Sequence, residues 1–366
     1  MKVICDRGAL SETLALVGGV VVARSPKPAL ACVKLTADAE RLTLEATDME
    51  VSLRVATARV EVVEAGEALI PCDKIIQIVK ESHDPTLSID VDAEAAHVRG
   101  EDSHFKVFIQ RVSDFPAMAQ FEGEVDFEVL ARELSQVIQQ TIYATARENS
   151  RYAINGVLLE RDGNKIAVVA TDGHRLALAR GECRGGAMDH NHAIIPTKAL
   201  VLLQRLLSDG EQTVRVKVHD NQAMFSTDAG TLCATLVDGN FPPYKDVIPR
   251  DGDKKAVLHT DLLISAVRRA ALLTNDESKG VRLAFSPAGL RLTSRAPEMG
   301  EAEIKVPCVE YQGDPIEIGF NPTYLLDALK VADSEQVTID MKAGAKPGVL
   351  RTGANFTYVV MPVNLQ

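Results

Sequence analysis

Two hydrophobic periodicities alternate along the chain and predict a mixed helical and sheet structure. Runs such as VSLRVATARVEV and KIAVVA alternate apolar and polar residues, which is the period of half-buried antiparallel strands. In residues 131–149, apolar side chains instead recur at helical spacing, so this segment is predicted to be one amphipathic helix. Its apolar face contains Leu134, Val137, Ile138 and Ile142, and its polar face contains Arg132, Gln136, Gln140, Tyr143 and Arg147.

The pattern repeats along the chain. Ala46–Leu53 matches Ala170–Ala177, which lies 124 positions later, and Ile70–Pro71 matches Ile195–Pro196 at an offset of 125. A fainter third copy contains LRLTSRAPEMGEAEIKV from Leu290 onward. Because similar offsets recur in order, the chain is predicted to contain three tandem copies of one unit.

The copies predict an α+β fold class in which each domain packs two helices on antiparallel sheets. The predicted domains are residues 1–122, 127–249 and 254–366. Six helices are predicted, namely residues 131–149, one from Thr197, and others near Ser11, Asp73, Asp261 and Pro322.

Composition excludes several functional classes. The chain has 51 acidic and 40 basic residues, a net charge of −11, which argues against holding nucleic acid by summed positive charge. Neither a bilayer-spanning apolar run nor a signal-peptide core occurs, so we expect a cytoplasmic protein without membrane contact. The six cysteines are far apart and no phosphate-binding glycine motif is present, so we expect no metal and no cofactor.

The segment TDGHRLALAR, residues 171–180, contains the most conspicuous candidate chemistry. Asp172 and His174 beside Arg175 leave a metal-dependent hydrolase open as one alternative, and a buried structural histidine as another. Asp172-Gly173 between two alternating runs is a strong hairpin signal, so we expect a turn first. The DHNH segment at residues 189–192 has no distant partner for a metal and is interpreted as a surface loop.

Four segments, ATDGHRLAL, RYAINGVLLE, NFPPYKDVIP and YVVMPV, occur in an order that resembles the bacterial DNA polymerase III beta subunit family, the sliding clamps, over the whole chain. The resemblance implies three clamp domains per chain and a head-to-tail homodimeric ring around duplex DNA. It also implies a processivity factor for the polymerase, without catalytic activity. A repeat scaffold that does not bind DNA is the other alternative.

The resemblance also implies an apolar pocket for short partner motifs of the Gln-Leu-x-Leu-Phe kind. The implied partners are the DNA polymerase III alpha subunit, the clamp loader, other DNA polymerases, and mismatch-repair and ligase proteins. Asp246, Asn364 and the extra Gln366 depart from the family pattern and make the rim less basic. The implied pocket residues are Ile154, Thr171, Gly173, His174, Arg175, Leu176, Pro242, Val247, Tyr324, Val359, Val360, Met361, Pro362 and Val363.

DNA contacts are expected from basic residues on or beside the helices, because a ring around DNA needs a locally basic lining. These candidates are Arg24, Lys74, Lys80, Arg147, Lys198, Arg205, Arg268 and Arg269, to which the resemblance adds Arg151 and Tyr152. For the seam between the two subunits the resemblance implies Lys74, Phe105, Leu272 and Leu273. The alternative for the two leucines is the core of their own domain.

Overall fold

The computed structural model of the chain shows two compact units. The described residues are 1–22, 25–146, 154–185, 190–207, 209–274, 280–297 and 299–364. The first unit comprises Met1–Arg132, Cys183–Met188 and Lys198–Leu236. The second unit comprises Glu133–Glu182, Asp189–Thr197 and Val237–Gln366.

Short antiparallel strands form most of the framework, as the alternating runs predict. In chain order they are β1 Lys2–Asp6, β2 Cys32–Asp38, β3 Arg41–Thr47, β4 Val51–Thr57, β5 Val60–Glu64, β6 Gly66–Pro71, β7 Thr86–Val91, β8 Ala95–Arg99, β9 His104–Phe108, β10 Phe127–Leu130, β11 Gly156–Asp162, β12 Lys165–Thr171, β13 Arg175–Glu182, β14 His190–Pro196, β15 Thr213–His219, β16 Gln222–Ser226, β17 Gly230–Thr235, β18 Lys254–His259, β19 Val281–Ser286, β20 Gly289–Ala296, β21 Gly300–Val306, β22 Glu310–Gln312, β23 Ile316–Phe320, β24 Gln336–Met341, β25 Gly348–Thr352 and β26 Phe356–Val360.

The first unit contains two antiparallel sheets. The five-stranded sheet has the order β5-β1-β7-β8-β9, and the eight-stranded sheet has the order β10-β15-β16-β17-β4-β3-β2-β6. In the larger sheet, β17 pairs with β4 from Gly230 opposite Val55 to Ala234 opposite Val51. This ladder joins a strand of the second predicted copy to a strand of the first.

The second unit repeats this arrangement one copy later. Its nine-stranded sheet has the order β14-β11-β12-β13-β26-β25-β24-β18-β22, and its four-stranded sheet has the order β21-β20-β19-β23. Here β13 pairs with β26, from Arg175 opposite Val360 to Ala179 opposite Phe356. The last strand of the chain is therefore hydrogen-bonded to a strand of the central copy.

All six predicted helices are present, and a short additional helix, α5, was not predicted. The first helix begins before Ser11 because the Asp6 carboxylate accepts a hydrogen bond from the Ala9 amide at 2.8 Å and caps it. No helix in the described ranges has both the length and the apolar character needed to cross a bilayer. The helices are α1 Arg7–Gly18, α2 Cys72–Glu81, α3 Ala131–Gln139, α4 Thr197–Leu206, α5 Tyr244–Val247, α6 Thr260–Ala271 and α7 Pro322–Lys330.

The prediction of one helix over residues 131–149 was wrong at its C-terminal end. Helix α3 stops at Gln139 and is followed by a 3₁₀ turn over Ile142–Ala144. The buried Thr141 hydroxyl donates to the Val137 carbonyl at 2.7 Å, so its side chain competes with the backbone for helical hydrogen bonds. Gln140, predicted on the polar face, is buried as a result.

The predicted turn after β12 is confirmed, although it is wider than a two-residue hairpin. The Thr171 hydroxyl accepts from the Gly173 amide at 3.2 Å and donates to the Arg175 carbonyl at 2.7 Å. The Asp172 carboxylate accepts from the amides of His174 and Arg175, both at 3.0 Å. Asp172 is thus occupied by the turn's own hydrogen bonds.

The first unit contains the same turn between β3 and β4. The Thr47 hydroxyl accepts from the Met49 amide at 3.0 Å, and the Asp48 carboxylate accepts from the Glu50 amide at 3.0 Å. Met49 has a φ of +79°, and the glycine at the equivalent position, Gly173, has a φ of +87°. Because side chains disfavour this left-handed region, the exposed Met49 carries backbone strain that Gly173 does not.

This difference predicts opposite responses to a matched pair of substitutions. Gly173→Ala should lower the free energy of unfolding by about 1 kcal/mol, because the added Cβ meets the left-handed penalty without any new contact. Met49→Gly should not lower it, because strain is relieved and the side chain packs little. Differential scanning calorimetry of the two variants checks this, and an equal loss of stability in both would contradict it.

Candidate functional site

One face of the nine-stranded sheet brings three of the predicted pocket residues into a single row. Thr171 on β12 lies opposite Leu176 on β13, Leu176 lies opposite Val359 on β26, and Val359 lies opposite Val349 on β25. Because side chains two residues apart share a sheet face, a second row lies beside this one. That second row contains Ile194, Leu158, Val169 and Leu178. Together the rows form an apolar floor.

A segment of the chain from Val237 to Ile248 packs against this floor. Tyr244 is buried within the cluster formed by Leu158, Leu176 and Val359. Its hydroxyl donates to the Glu160 carboxylate at 2.5 Å. Burial first, and then this carboxylate, raise the pKa of Tyr244. Tyr244 and the second row of apolar residues were not predicted as site residues, because only the strand register reveals that they adjoin Leu176.

Two concavities open beside the packed segment. One, of about 430 Å³, is lined by Leu158, Ile194, Pro242 and Tyr244 among others. The other, of about 250 Å³, is lined by residues that include Val247, whose side chain is 46% exposed, together with Asp246 and Val349. Each concavity is therefore lined both by residues of the floor and by residues of the packed segment.

The tail after β26 lies beside the turn. The Met361 amide donates to the His174 carbonyl at 2.9 Å, and the Val363 amide donates to the Gly319 carbonyl at 2.9 Å. The Met361 side chain is 40% exposed, and Pro362 and Val363 are half-buried. An apolar, partly exposed edge thus adjoins the turn of residues 172–174.

His174 is exposed at the tip of the turn, so the interpretation as a buried structural histidine was wrong. Both carboxylate oxygens of Asp172 already accept hydrogen bonds, one from turn amides and the other from the Arg175 side chain at 3.0 Å. Asp172 is therefore not paired with the His174 ring as a catalytic or metal-binding dyad would require. Among the residues that the structure describes, no three His, Cys, Asp or Glu side chains are placed to hold a metal ion. In the DHNH segment, Asp189 lies outside the described residues, and residues 190–192 begin strand β14, so the interpretation of these three residues as a surface loop was wrong.

Arg175 is largely covered, with a side chain only 10% exposed, and its charge is directed to neighbouring groups of the fold and not to the rim. Its guanidinium donates to Asp172 at 3.0 Å, to Asp327 at 2.6 Å and to the Tyr143 carbonyl at 2.8 Å. Its Cζ lies 4.4 Å from the Tyr324 ring centroid, a cation–π contact. Burial is the largest influence and lowers the pKa of Arg175, but the hydrogen bond to Asp327, Tyr358 and the Asp172 carboxylate together outweigh it, and the net shift is upward.

Two tyrosines beside Arg175 differ in how their hydroxyls are satisfied. The Tyr358 hydroxyl donates to the Tyr324 carbonyl at 2.9 Å. The Tyr143 hydroxyl is buried and, within the described part of the chain, has no hydrogen-bond partner. Burial raises the pKa of Tyr143 well above its usual value, so both rings stay neutral around the cation.

Val360 does not belong to the floor, contrary to the predicted set. It is fully buried and lies opposite Arg175, so alternation along β26 places it on the other sheet face from Val359. It supports the floor from beneath. Ile154 is also buried, and its carbonyl accepts from the Ala146 amide at 2.9 Å.

The predicted DNA contacts divide into three groups. The first group is exposed on helices, with Lys74 in the first turn of α2 and Lys80, Arg205, Arg268 and Arg269 in the last turns of α2, α4 and α6. Lys198 is instead ion-paired with the buried Asp48 carboxylate and donates to the Val20 carbonyl at 3.1 Å, so its charge is compensated. Four candidates lie outside the described residues, namely Arg24, Arg147, Arg151 and Tyr152.

The predicted seam residues are available for contact. Leu272 follows α6 and is 71% exposed, so the alternative that places it in the core of its own domain was wrong. Phe105, on the edge strand β9, is 42% exposed. Leu273 is half-buried, and Lys74 is exposed with its ammonium 3.2 Å from the Asp73 carboxylate.

The rows that are apolar in the second unit are charged in the first. At the repeat offset of 124, Leu158, Val169 and Leu178 correspond to Lys34, Glu45 and Arg54, which also lie opposite one another across three strands. The buried Glu45 carboxylate is 2.5 Å from the Arg54 guanidinium, and the Lys34 ammonium is 2.8 Å from Glu67. The position of Leu176 is taken by Ser52. The first unit therefore lacks an apolar floor at the equivalent place.

Comparison with known proteins gives one consistent result. Three family models match in order: the N-terminal, central and C-terminal domains of the DNA polymerase III beta subunit, over residues 1–119, 128–243 and 245–364. The beta sliding clamps of Pseudomonas aeruginosa and Escherichia coli K12 are 35% and 32% identical over 368 residues, which covers each chain completely. A crystal structure of the P. aeruginosa sliding clamp bound to griselimycin has a TM-score of 0.94 at 34% identity, with full coverage of both chains.

The contrast between the two tyrosines predicts opposite effects of the same substitution. Tyr358→Phe should lower the free energy of unfolding by about 1 kcal/mol, because it removes the buried hydrogen bond from the Tyr358 hydroxyl to the Tyr324 carbonyl. Tyr143→Phe should leave the free energy unchanged or raise it, because it removes a buried hydroxyl for which the described residues supply no hydrogen-bond partner. Urea unfolding of both variants checks this, and a larger loss for Tyr143→Phe would contradict it.

Proposed function

Because the chain belongs to the family of bacterial DNA polymerase III beta subunits, the sliding clamps, we propose that it encircles duplex DNA as a head-to-tail homodimeric ring with a partner pocket on the Thr171, Leu176 and Val359 row. Sliding clamps are processivity factors that keep the replicative polymerase on DNA. The three clamp domains are proposed to span residues 1–122, 127–249 and 254–366. The chain is proposed to have no catalytic activity and no cofactor of its own.

The apolar floor is the observation that carries the pocket proposal. It adjoins open concavities, the exposed turn at His174 and the partly exposed Met361, so an extended peptide could bury leucine or phenylalanine side chains there. Burial of one such anchor contributes about 1.5 to 3 kcal/mol, so two or three anchors support a reversible contact. The first unit has charged residues at the place where the second unit has its apolar row, which supports a single peptide site per chain.

The proposed partners of this site are the polymerase alpha subunit, a clamp loader, and other polymerases, mismatch-repair proteins and ligase. Because they would share one small site, they would bind in turn and not together. Loading requires an external ATPase, since the sequence contains no phosphate-binding loop. The proposed location is the cytoplasm, where bacterial chromosomal DNA is found.

For DNA, we propose that retention depends on ring closure and only weakly on charge. The exposed Lys80, Arg205, Arg268 and Arg269 are among the described candidates for phosphate contact. The chain has a net charge of −11, so attraction to phosphate is local and should be screened readily by salt. Weak, sequence-independent contacts of this kind allow sliding.

Peptide binding tests the pocket directly. A fluorescein-labelled Gln-Leu-Ser-Leu-Phe peptide should bind with a stoichiometry of one per chain in fluorescence anisotropy. A variant ending at Val360 should lose this binding, because it keeps β26 whole but removes Met361 to Val363. A control ending at Asn364 should retain it. If the intact chain does not bind, or if the Val360 variant binds equally well, the pocket is assigned wrongly.

The seam is tested by a charge on the exposed leucine after α6. Leu272→Asp should convert the dimer to monomers in sedimentation velocity, because it would bury an unpaired carboxylate in an apolar contact. The same substitution should also abolish retention of the protein on nicked circular DNA after a clamp loader has placed it there. Leu262→Asp, on α6 itself and also exposed, is the matched control and should remain dimeric. Equal masses for the two variants would remove Leu272 from the seam.

A further inference from the structure

We propose that Asp327 is a positioning residue of the partner pocket, which acts through Arg175 to hold the turn of residues 172–174 in place and does not itself contact the peptide. This inference rests on the proposed function of that site. It assigns a role to a residue of α7 that lies 152 positions from Arg175 in the sequence and that no sequence pattern connects to the pocket.

The contacts that carry the proposal converge on one guanidinium. The Arg175 Nη1 donates to Asp327 at 2.6 Å, and its Nε donates to Asp172, the first residue of the turn, at 3.0 Å. The second terminal nitrogen donates to the Tyr143 carbonyl at 2.8 Å. Asp327 is the only one of these acceptors that is a carboxylate outside the turn. It therefore supplies the charged anchor that ties the turn to α7.

The position of Arg175 explains why this anchor acts on the pocket indirectly. Alternation along β13 places the Arg175 side chain on the opposite sheet face from Leu176, the central residue of the floor. The Arg175 carbonyl accepts from the Thr171 hydroxyl, and the neighbouring His174 carbonyl accepts from the Met361 amide at 2.9 Å. A change in the guanidinium's position is thus transmitted to both sides of the pocket through the backbone of the turn.

The equivalent turn in the first unit supports a positioning role for such a tie. There Asp48 is ion-paired with Lys198 of α4, so that turn is also fixed to a helix by a charged pair. The residue that corresponds to Arg175 is Val51, and the floor beside it is charged and not apolar. An ion pair that fixes the turn to a helix is therefore present in both units, whereas the apolar pocket is present in the second unit and not at the equivalent place in the first. In the second unit this ion pair is formed by Arg175, the residue adjacent to Leu176.

Three variants of the 366-residue chain test the proposal. Asp327→Asn removes the charge at nearly constant shape, Asp327→Glu restores the charge, and Asp333→Asn is the matched control. Asp333 is an exposed acid of the same unit and accepts a hydrogen bond from Gln136 at 2.7 Å. Each variant is assayed for peptide affinity by anisotropy, for the ¹³C-methyl NMR signal of Met361, and for its thermal midpoint. The Met361 signal is assigned from a Met361→Leu variant.

Asp327→Asn should raise the peptide Kd at least about fivefold, because a hydrogen bond to a charged group is among the stronger ones in a protein. It should also shift the Met361 signal while the other methionine signals stay in place. Asp327→Glu should recover part of the affinity, and Asp333→Asn should change neither the Kd nor the Met361 signal. A local change at Met361 together with lost affinity is the signature of positioning.

Unchanged peptide affinity and an unchanged Met361 signal in Asp327→Asn would overturn the proposal, whatever happens to the thermal midpoint. A fall in the midpoint with all methionine signals broadened together would also overturn it, because Asp327 would then support folding in general. Failure of the unmodified chain to bind peptide is a separate result that counts against the proposed function. In that case the Met361 signal still decides whether Asp327 positions the turn.

Discussion

The antiparallel pairing of β13 with β26 is the constraint on which the whole site depends. It sets Leu176 opposite Val359 on one sheet face, and it sets Arg175 opposite Val360 on the other. A slip of one residue would exchange the two faces, because side chains alternate along a strand. The Arg175 guanidinium would then lie on the apolar floor, and its hydrogen bond to Asp327 would be lost. One register therefore determines both the surface of the site and the network that supports it.

The internal repeat separates what the fold supplies from what individual side chains add. Both units contain the same turn, and in both a strand of one copy completes the sheet of the copy before it. The apolar row through Leu158, Val169 and Leu178 becomes Lys34, Glu45 and Arg54 in the first unit, where Glu45 is ion-paired with both cations and Glu67 with Lys34. A row of ion-paired side chains offers no surface for an apolar anchor. The site is thus a property of a few substitutions on a repeated framework.

The sequence predicts those features that depend on local chemistry. The repeat, six helices and the turn follow from periodicity, proline and the Asp172-Gly173 pair, and Thr171, Leu176 and Val359 follow from the family resemblance. Features that depend on register and tertiary packing were missed or wrong: the place of Tyr244 over the floor, the opposite orientation of Val360, and the end of α3, where Thr141 turns its hydroxyl back on the helix. No local pattern contains that information, because each needs a partner strand or a packed neighbour.

The ion pair between Lys198 and Asp48 bears on how such an acidic chain could work on DNA. A basic residue near the start of a helix looks like a phosphate ligand in the sequence, but here its charge is compensated by a buried carboxylate and its ammonium also binds the Val20 carbonyl. Each cation used in this way leaves less positive charge for DNA on a chain that already has a net charge of −11. Counterion release from a few remaining contacts gives weak binding that falls steeply with salt. Processivity at physiological salt then has to come from closure of the proposed ring, and the seam between subunits matters more to retention than any single basic residue.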